Sequence, residues 1–415
     1  MNSDNKPILL VAINAKFIHS NPAVHMLKAA SSDFSEYIDI AEYAINQLYE
    51  DILSDIYKRR PLMVAFSSYI WNINMIERIV KDLPSVLPDT DIWLGGPEVS
   101  FDALDVLNRW PMIKGVMIGE GEDTFRELTS LYIDSFSLDK SSNLQNFDSK
   151  LLTISGLAFR NNDKLLFSSN RELTDISNIP FIYNDLKPFE NKIIYYESSR
   201  GCPFRCSYCL SSIDKTVRLR DINLVLSELQ FFLDNKVPQV KFIDRTFNCN
   251  KEHAITIWQY LLKHDNGITN FHFEVAADLI CQEEIEELSI IEKMRPGLIQ
   301  LEIGVQSTNL KTIKEIRRSM NLEKLKEVVA KIHSFNNTHQ HLDLIAGLPF
   351  EDIKSFEKSF NDVYDMKPDQ LQLGFLKVLK GSYMEEMVEN YGLKYHSSAP
   401  YEILSTVSLG VRAHG

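Results

Sequence analysis

The sequence predicts an α/β chain in two parts, a Rossmann-like doubly wound sheet followed by a partial (β/α)6 barrel. Three observations carry this. Within residues 1–135, short apolar runs ending in glycine turns alternate with helical patterns. The alternation resumes at Ile193 and gives six further units. Three cysteines crowd into the loop directly after the first strand of that second series.

Ile8–Ile13 reads as a buried parallel strand, with a helix over Val24–Ala30 after it. Leu62–Phe66 is the second clear strand. Ile76, Ile79, Val80 and Leu83 give helical spacing over Met75–Leu87. Strands at Ile92–Leu94 and Val116–Ile118 run into Gly95-Gly96 and Gly119-Glu120-Gly121. In such sheets ligands bind at the C-terminal ends of the strands, where these glycines stand. Residues 135–150 are rich in Ser, Asn and Asp and read as a linker. Ile154–Phe159 and Leu165–Ser168 flank Asn161-Asn162-Asp163 as a β-hairpin, so 136–190 is expected to be a linker with a hairpin.

The second series (191–385) has strands at Ile193–Glu197, Val240–Asp244, His272–Ala276, Ile299–Val305, Leu342–Ala346 and Leu371–Phe375. Helices over Leu224–Leu233, Ala254–Leu262 and Leu322–Ile332 lie among them. A partial barrel places its working loops at the C-terminal mouth. The chain stops at Gly415 without a closing signal, so 386–415 reads as the start of a truncated C-terminal segment.

Hydrophobic residues make up 44%, enough for sizeable cores, and the net charge of −13 argues against general nucleic-acid binding. No apolar run reaches the roughly 18 residues that span a bilayer, and no secretory leader is read. Clustered cysteines suit a metal site in a reducing cytoplasm.

Cys202, Cys206 and Cys209 in GCPFRCSYC have the spacing C-x3-C-x2-C. Three thiolates can hold three corners of a 4Fe–4S cluster, leaving the fourth iron open for chemistry. The competing reading is a structural zinc site completed by His253 or His264. Cys249 and Cys281 read as buried free thiols.

The cysteine loop, with Tyr208 before the third cysteine, resembles that of the radical S-adenosylmethionine (SAM) superfamily. IQLEIGVQS (Ile299–Ser307) and LDLIAGLPFED (Leu342–Asp352) resemble its fourth- and fifth-strand segments. LGGPEVS and IGEGEDTF resemble the turns of the cobalamin-binding domain fused to one of its subclasses. The resemblance implies a Rossmann-like cobalamin-binding domain followed by a partial (β/α)6 radical SAM barrel. Its implied cofactors are a 4Fe–4S cluster, S-adenosylmethionine and cobalamin, with the three cysteines as catalytic metal ligands.

For SAM it implies Tyr208 near the adenine and Asp244 of FIDRTFN at the methionine ammonium, where the usual Gly-Gly-Glu is absent. Glu302 and Gln306 are expected at the ribose, with an ion pair to Arg317 or Arg318 as the alternative for either. Arg317 or Arg318 is expected at the methionine carboxylate, Asp343 at a ribose hydroxyl, and Gly347 beside the adenine. For cobalamin it implies Gly95, Gly96, Gly119, Gly121, Ser67 and Ser68 around the nucleotide tail. His19 occupies the position of a lower cobalt ligand, but the flanking Asp and Gly of that motif are replaced, which favours cobalamin without a lower protein ligand. Plain turns that bind nothing are the alternative.

The leading expectation is a radical SAM enzyme that methylates an unactivated carbon, with ring closure or rearrangement second and a non-enzymatic iron–sulfur redox protein third. Methylthiolation is disfavoured because residues 1–201 contain no cysteine for a second cluster. The expected partners are a small-molecule or peptide substrate and an electron donor such as flavodoxin or ferredoxin, under anaerobic conditions.

Overall fold

The computed structural model of the 415-residue chain describes residues 6–137, 144–280 and 286–407. The chain divides into two compact units, Met1–Lys192 and Ile193–Gly415. No helix among the described residues is long and apolar enough to cross a membrane.

In the first unit β1 (Ile8–Asn14), β2 (Ile38–Ala44), β3 (Met63–Ser67), β4 (Asp91–Gly95) and β5 (Gly115–Met117) run parallel in the order β2-β1-β3-β4-β5. All residues of β1 are buried, as a central parallel strand covered on both faces must be. The chain winds one way from β1 to β2 and the other way from β3 onward. This order opens a crevice beyond the C-terminal ends of β1 and β3. The helix Pro22–Ala30 starts there, capped by the Asn21 side chain, with Pro22 in its first turn. Ile76, Ile79, Val80 and Leu83 are buried from the helix Ile73–Val86, as their spacing predicts.

Two corrections concern this unit. The strand β2 was not anticipated. Asp39 and Glu42 interrupt its apolar pattern, and only Ile38, Ala41 and Ala44 are fully buried. The expected linker is partly helical: Leu144–Leu151 forms a helix whose Phe147 and Leu151 join the sheet's core, while 138–143 lie outside the described residues. Phe147 and Leu151 are the i, i+4 pair of a short apolar stripe, which the surrounding Ser, Asn and Asp obscure. The hairpin forms as β6 (Leu157–Asn161) and β7 (Lys164–Phe167) and extends the sheet antiparallel to β5.

The second unit carries all six expected parallel strands. They are β8 (Ile194–Tyr196), β11 (Gln239–Phe242), β12 (Asn270–Val275), β13 (Ile299–Gln306), β14 (His339–Ala346) and β15 (Gln370–Phe375), adjacent in that order. A ribbon of β9 (Ser199–Arg200) and β10 (Arg218–Leu219) closes the cysteine loop, and a second of β16 (Lys394–Tyr395) and β17 (Ile403–Ser405) ends the described chain.

Along β13 the two faces differ. Ile299, Leu301, Ile303 and Val305 are buried, whereas Gln300, Glu302, Gly304 and Gln306 are half-buried. The apolar face packs under helices and the polar face is left for a ligand. Phe273 on β12 sits among Phe247, Phe242 and Trp258 at ring distances of 4.3, 4.5 and 6.1 Å. Phe273→Ala is therefore expected to cost about 3–5 kcal/mol of unfolding free energy, read by urea denaturation.

Candidate functional site

The second unit encloses a cavity of about 180 Å³ between the cysteine loop and the inner faces of β12, β13 and β14. Cys202, Tyr208, Cys206 and Cys209 line it on one side, and Glu274, Glu302, Gln306, Arg318 and Asp343 on the other. Cys202 and Cys206 are nearly buried and all three thiols are free.

Backbone contacts shape the loop. Gly201 has φ +95°, and a Cβ there would lie 2.1 Å from the Thr216 carbonyl oxygen. Ser207 N donates to Ile316 O at 2.9 Å, and Met384 N donates to Ser207 O at 2.8 Å. The Arg318 guanidinium donates to the Tyr208 hydroxyl at 3.2 Å and to the Gly304 carbonyl, and reaches Cys206 Sγ at 3.8 Å. The loop is thus tied to β13.

The thiols do not have the geometry of a mononuclear site. Four thiolates on one zinc sit about 3.8 Å apart. Among the described residues the one metal-type group whose ligand atoms all lie within 4.8 Å of one another is Glu302, His341 and Asp343, so the three sulfurs are spread more widely. That spread suits the corners of a polynuclear cluster. Neither imidazole that a zinc site would need lines the cavity: His253 Nε2 lies 3.1 Å from Ser198 Oγ, and His264 packs on Tyr260. Cys249 is half-buried, and burial pushes its thiol up to about 11. Cys281 lies outside the described residues.

Asp244 does not line the cavity. Its carboxylate is fully buried and accepts from Ser198 N (2.9 Å), Ser198 Oγ (2.6 Å) and Ser199 Oγ (2.6 Å). Burial raises it to about 6, against the pull of those donors. It anchors the chain leading into the cysteine loop and, fully buried, does not reach the cavity.

Arg317 is also displaced: it adopts φ +55° and stacks on the Tyr383 ring at 3.3 Å. Arg318 is the arginine at the cavity. Gly347 lies off the cavity wall, and a Cβ on it would approach Ile403 to 2.7 Å. Its φ of +90° therefore makes room for the C-terminal ribbon.

Glu302 pairs with Lys241 (3.0 Å) and His272 (2.9 Å), not with either arginine. Burial opposes its charge, but these partners hold it down at about 2. Gln306 sits at a register shift in β13 with φ +70°, an uncommon conformation for a residue other than glycine. Its Oε1 and Arg318 Nε are buried without hydrogen-bond partners, as expected where a polar ligand supplies them.

Sequence reading missed Glu274. It sits across from Glu302 in the β12–β13 register, faces the cavity, and burial raises it to about 7 despite nearby Arg245. The polar alternation that marked Glu302 and Gln306 runs through His272 and Glu274 as well.

In the first unit the crevice beyond β1 and β3 holds the other expected residues. Asn14 Nδ2 donates to the His19 carbonyl at 3.0 Å and to Glu42 at 2.9 Å. Glu42 pairs with His25 and Lys192, each at 2.6 Å, so this carboxylate orients His25. Ser67 accepts from Asn21 Nδ2 at 3.4 Å. Ser68 is buried and shapes the β4 turn: its N donates to Gly95 O at 2.7 Å, and a Cβ on Gly96 would meet its carbonyl at 2.5 Å. Gly121 would meet Leu27, whereas Gly119 (φ +78°) faces open space that a ligand could fill. The open Gly119 turn and the crevice fit a bound nucleotide tail, with Ser68 and Gly96 as its support.

Residues 8–129 match the B12 binding domain, and residues 196–363 match the Radical SAM superfamily. The chain thus carries a B12-binding domain followed by a radical SAM domain, as its motifs implied. It is 29% identical over 261 residues to an uncharacterized methyltransferase of Pyrococcus horikoshii, covering 60% of this chain and 51% of that protein. It is 20% identical over 390 residues to the cobalamin-dependent radical SAM methyltransferase TokK of Streptomyces tokunonensis, covering 88% and 53%. The chain spans about half the length of these two relatives. The fold is shared with the radical SAM methyltransferase TsrM of Kitasatospora setae, at TM-score 0.72 and 13% identity over 98% of this chain and 82% of that one.

Gly201→Ala is expected to strain the loop by about 1–3 kcal/mol and to lower the iron bound per chain after anaerobic reconstitution. Asp244 makes a second prediction. Its folded value, about 6, lies above the ordinary 3.8. Its contribution to stability is therefore complete below pH 3.8 and is lost as pH rises through 6, on the order of 3 kcal/mol. In Asp244→Asn the amide can donate to the serine hydroxyls while its oxygen accepts from Ser198 N. The pH dependence of denaturation between pH 4 and 7 is then expected to flatten.

Proposed function

We propose that this protein is a cobalamin-dependent radical SAM enzyme that reductively cleaves S-adenosylmethionine and methylates an unactivated carbon of its substrate. One observation carries the reading: three free thiols, spread too widely for a single metal ion, share a cavity with Gln306, Arg318 and Glu274. The methyltransferase relatives support methylation as the outcome. When bound, the cluster supplies the electron for carbon–sulfur scission and cobalamin supplies a methyl carrier.

The chain's own groups bind and orient SAM. Arg318, fixed by Tyr208 and Gly304, is placed to pair with the methionine carboxylate. Glu274, the cavity carboxylate with no hydrogen bond or ion pair among the described residues, takes the role first expected of Asp244 and accepts from donors of SAM. Gln306 faces the ribose, and the apolar and aromatic walls around the cysteine loop exclude water. We further propose that the protein works in the cytoplasm under anaerobic conditions. An external one-electron donor of the flavodoxin or ferredoxin class would reduce it.

The test is anaerobic reconstitution with iron, sulfide and hydroxocobalamin, followed by SAM and a reductant. Both chromophores and 5′-deoxyadenosine are the expected result, and Cys206→Ala should abolish the 5′-deoxyadenosine. A wild-type protein that stays colourless, or that carries zinc, would refute the reading. Arg318→Ala is expected to raise KM for SAM roughly 10–100-fold, the loss of one charge-assisted hydrogen bond. Asp244→Asn is expected to leave that KM within a factor of about 3, equivalent to a change below about 1 kcal/mol.

A further inference from the structure

We propose that the barrel interior contains a divalent metal site made by Glu302, His341 and Asp343. The proposal rests on these three residues and goes beyond SAM cleavage. Glu302 on β13 and His341 on β14 are direct register partners, and Asp343 follows on the same strand and face as His341. One ligand atom from each lies within 4.8 Å of the other two.

His341 carries the second observation. It is 6% exposed, and its Nε2 has no partner of full hydrogen-bond geometry, its nearest polar neighbour being the Asp343 carboxylate. Asp343 Oδ1 is likewise buried without one, although the two atoms are only 3.0 Å apart. Side chains two residues apart on a strand run side by side, so their tips converge on a common point instead of meeting head-on. Neighbouring ligands on a metal with bonds of about 2.1 Å sit roughly 3.0–3.4 Å apart, and the observed separation falls there.

Glu302 is prepared in a complementary way. Lys241 Nζ and His272 Nε2 both bond to Oε2, at 3.0 and 2.9 Å, leaving Oε1 with no hydrogen bond among the described residues. Outer hydrogen bonds of this kind orient ligating carboxylates in metal centres. Lys241 opposes a cation, but two carboxylates outweigh it, and Glu274 is close enough to interact with both.

One imidazole and two carboxylates, with no thiolate, suit a borderline first-row divalent ion such as Mn²⁺, Fe²⁺ or Zn²⁺. They offer too few oxygens for Ca²⁺. Glu302 and Asp343 are also part of the cavity wall, so the remaining coordination positions are open to water or to an oxygen donor of the substrate.

The test is a titration of Mn²⁺ into anaerobically purified protein with any 4Fe–4S cluster held in its 2+ state, which is silent in electron paramagnetic resonance. One saturable equivalent is expected, with modulation from an imidazole nitrogen. His341→Ala is expected to lower the affinity at least tenfold and to remove that modulation. His272→Ala, which loosens only the brace on Glu302, is expected to lower affinity about 10–100-fold while keeping the nitrogen signal. Gln306→Ala is expected to change neither. Absence of saturable Mn²⁺, absence of nitrogen coupling in the wild type, or coupling that survives in His341→Ala would each overturn the proposal. None of these readouts requires SAM cleavage, so its outcome is independent of the proposed reaction.

Discussion

The sealed carboxylate of Asp244 is the constraint on which the cysteine loop depends. It grips Ser198 through backbone and hydroxyl and Ser199 through its hydroxyl, at the point where β8 gives way to the loop. A buried carboxylate is costly unless its lone pairs are filled. Three donors from two consecutive residues occupy most of them and leave the backbone one path out of the strand. His253 adds a contact to the same Ser198 hydroxyl. Three residues beyond Ser199 the first thiol enters the cavity.

Arg318 holds the other side. It bridges Tyr208 and the Gly304 carbonyl on β13 and lies against Cys206. Gly304 permits this approach, since a Cβ there would come within 2.5 Å of the Gln306 amide and 3.4 Å of the guanidinium. The register shift after Gly304 then turns Gln306 inward. The same arginine thus ties the loop to the strand and presents its uncommitted Nε to the cavity. Around the cysteine loop the contrast is clear: Asp244, which shapes the loop, holds three donors, whereas Gln306 and Arg318, which line the cavity, each keep a buried atom without a partner.

Much of this was legible in advance. The inner strands of the second unit stood out because parallel strands buried on their outer face read as apolar runs, and the polar alternation of β13 already set Glu302 and Gln306 on one face. The strand β2 and the helix Leu144–Leu151 were obscured because their apolar residues are too few to stand out from the polar ones between them. Arg317 and Arg318 are adjacent in sequence and opposite in role. The φ of +55° at Arg317 sends one onto Tyr383 and the other toward the thiols. Asp244 was assigned to a ligand because a motif reports which residue is present and not which way its carboxylate turns.

By itself the sequence determined the two α/β units, the cysteine spacing and the family, because periodicity and motif are local properties of the chain. Only the tertiary structure decided which ionisable groups are already satisfied and which remain open. Glu274, Arg318 and His341 come from different elements, and their surroundings exist only once parallel strands lock in register. Hydrogen-bond saturation is a property of those surroundings, so it separates Asp244 from Glu274 although both are carboxylates near the mouth of one barrel.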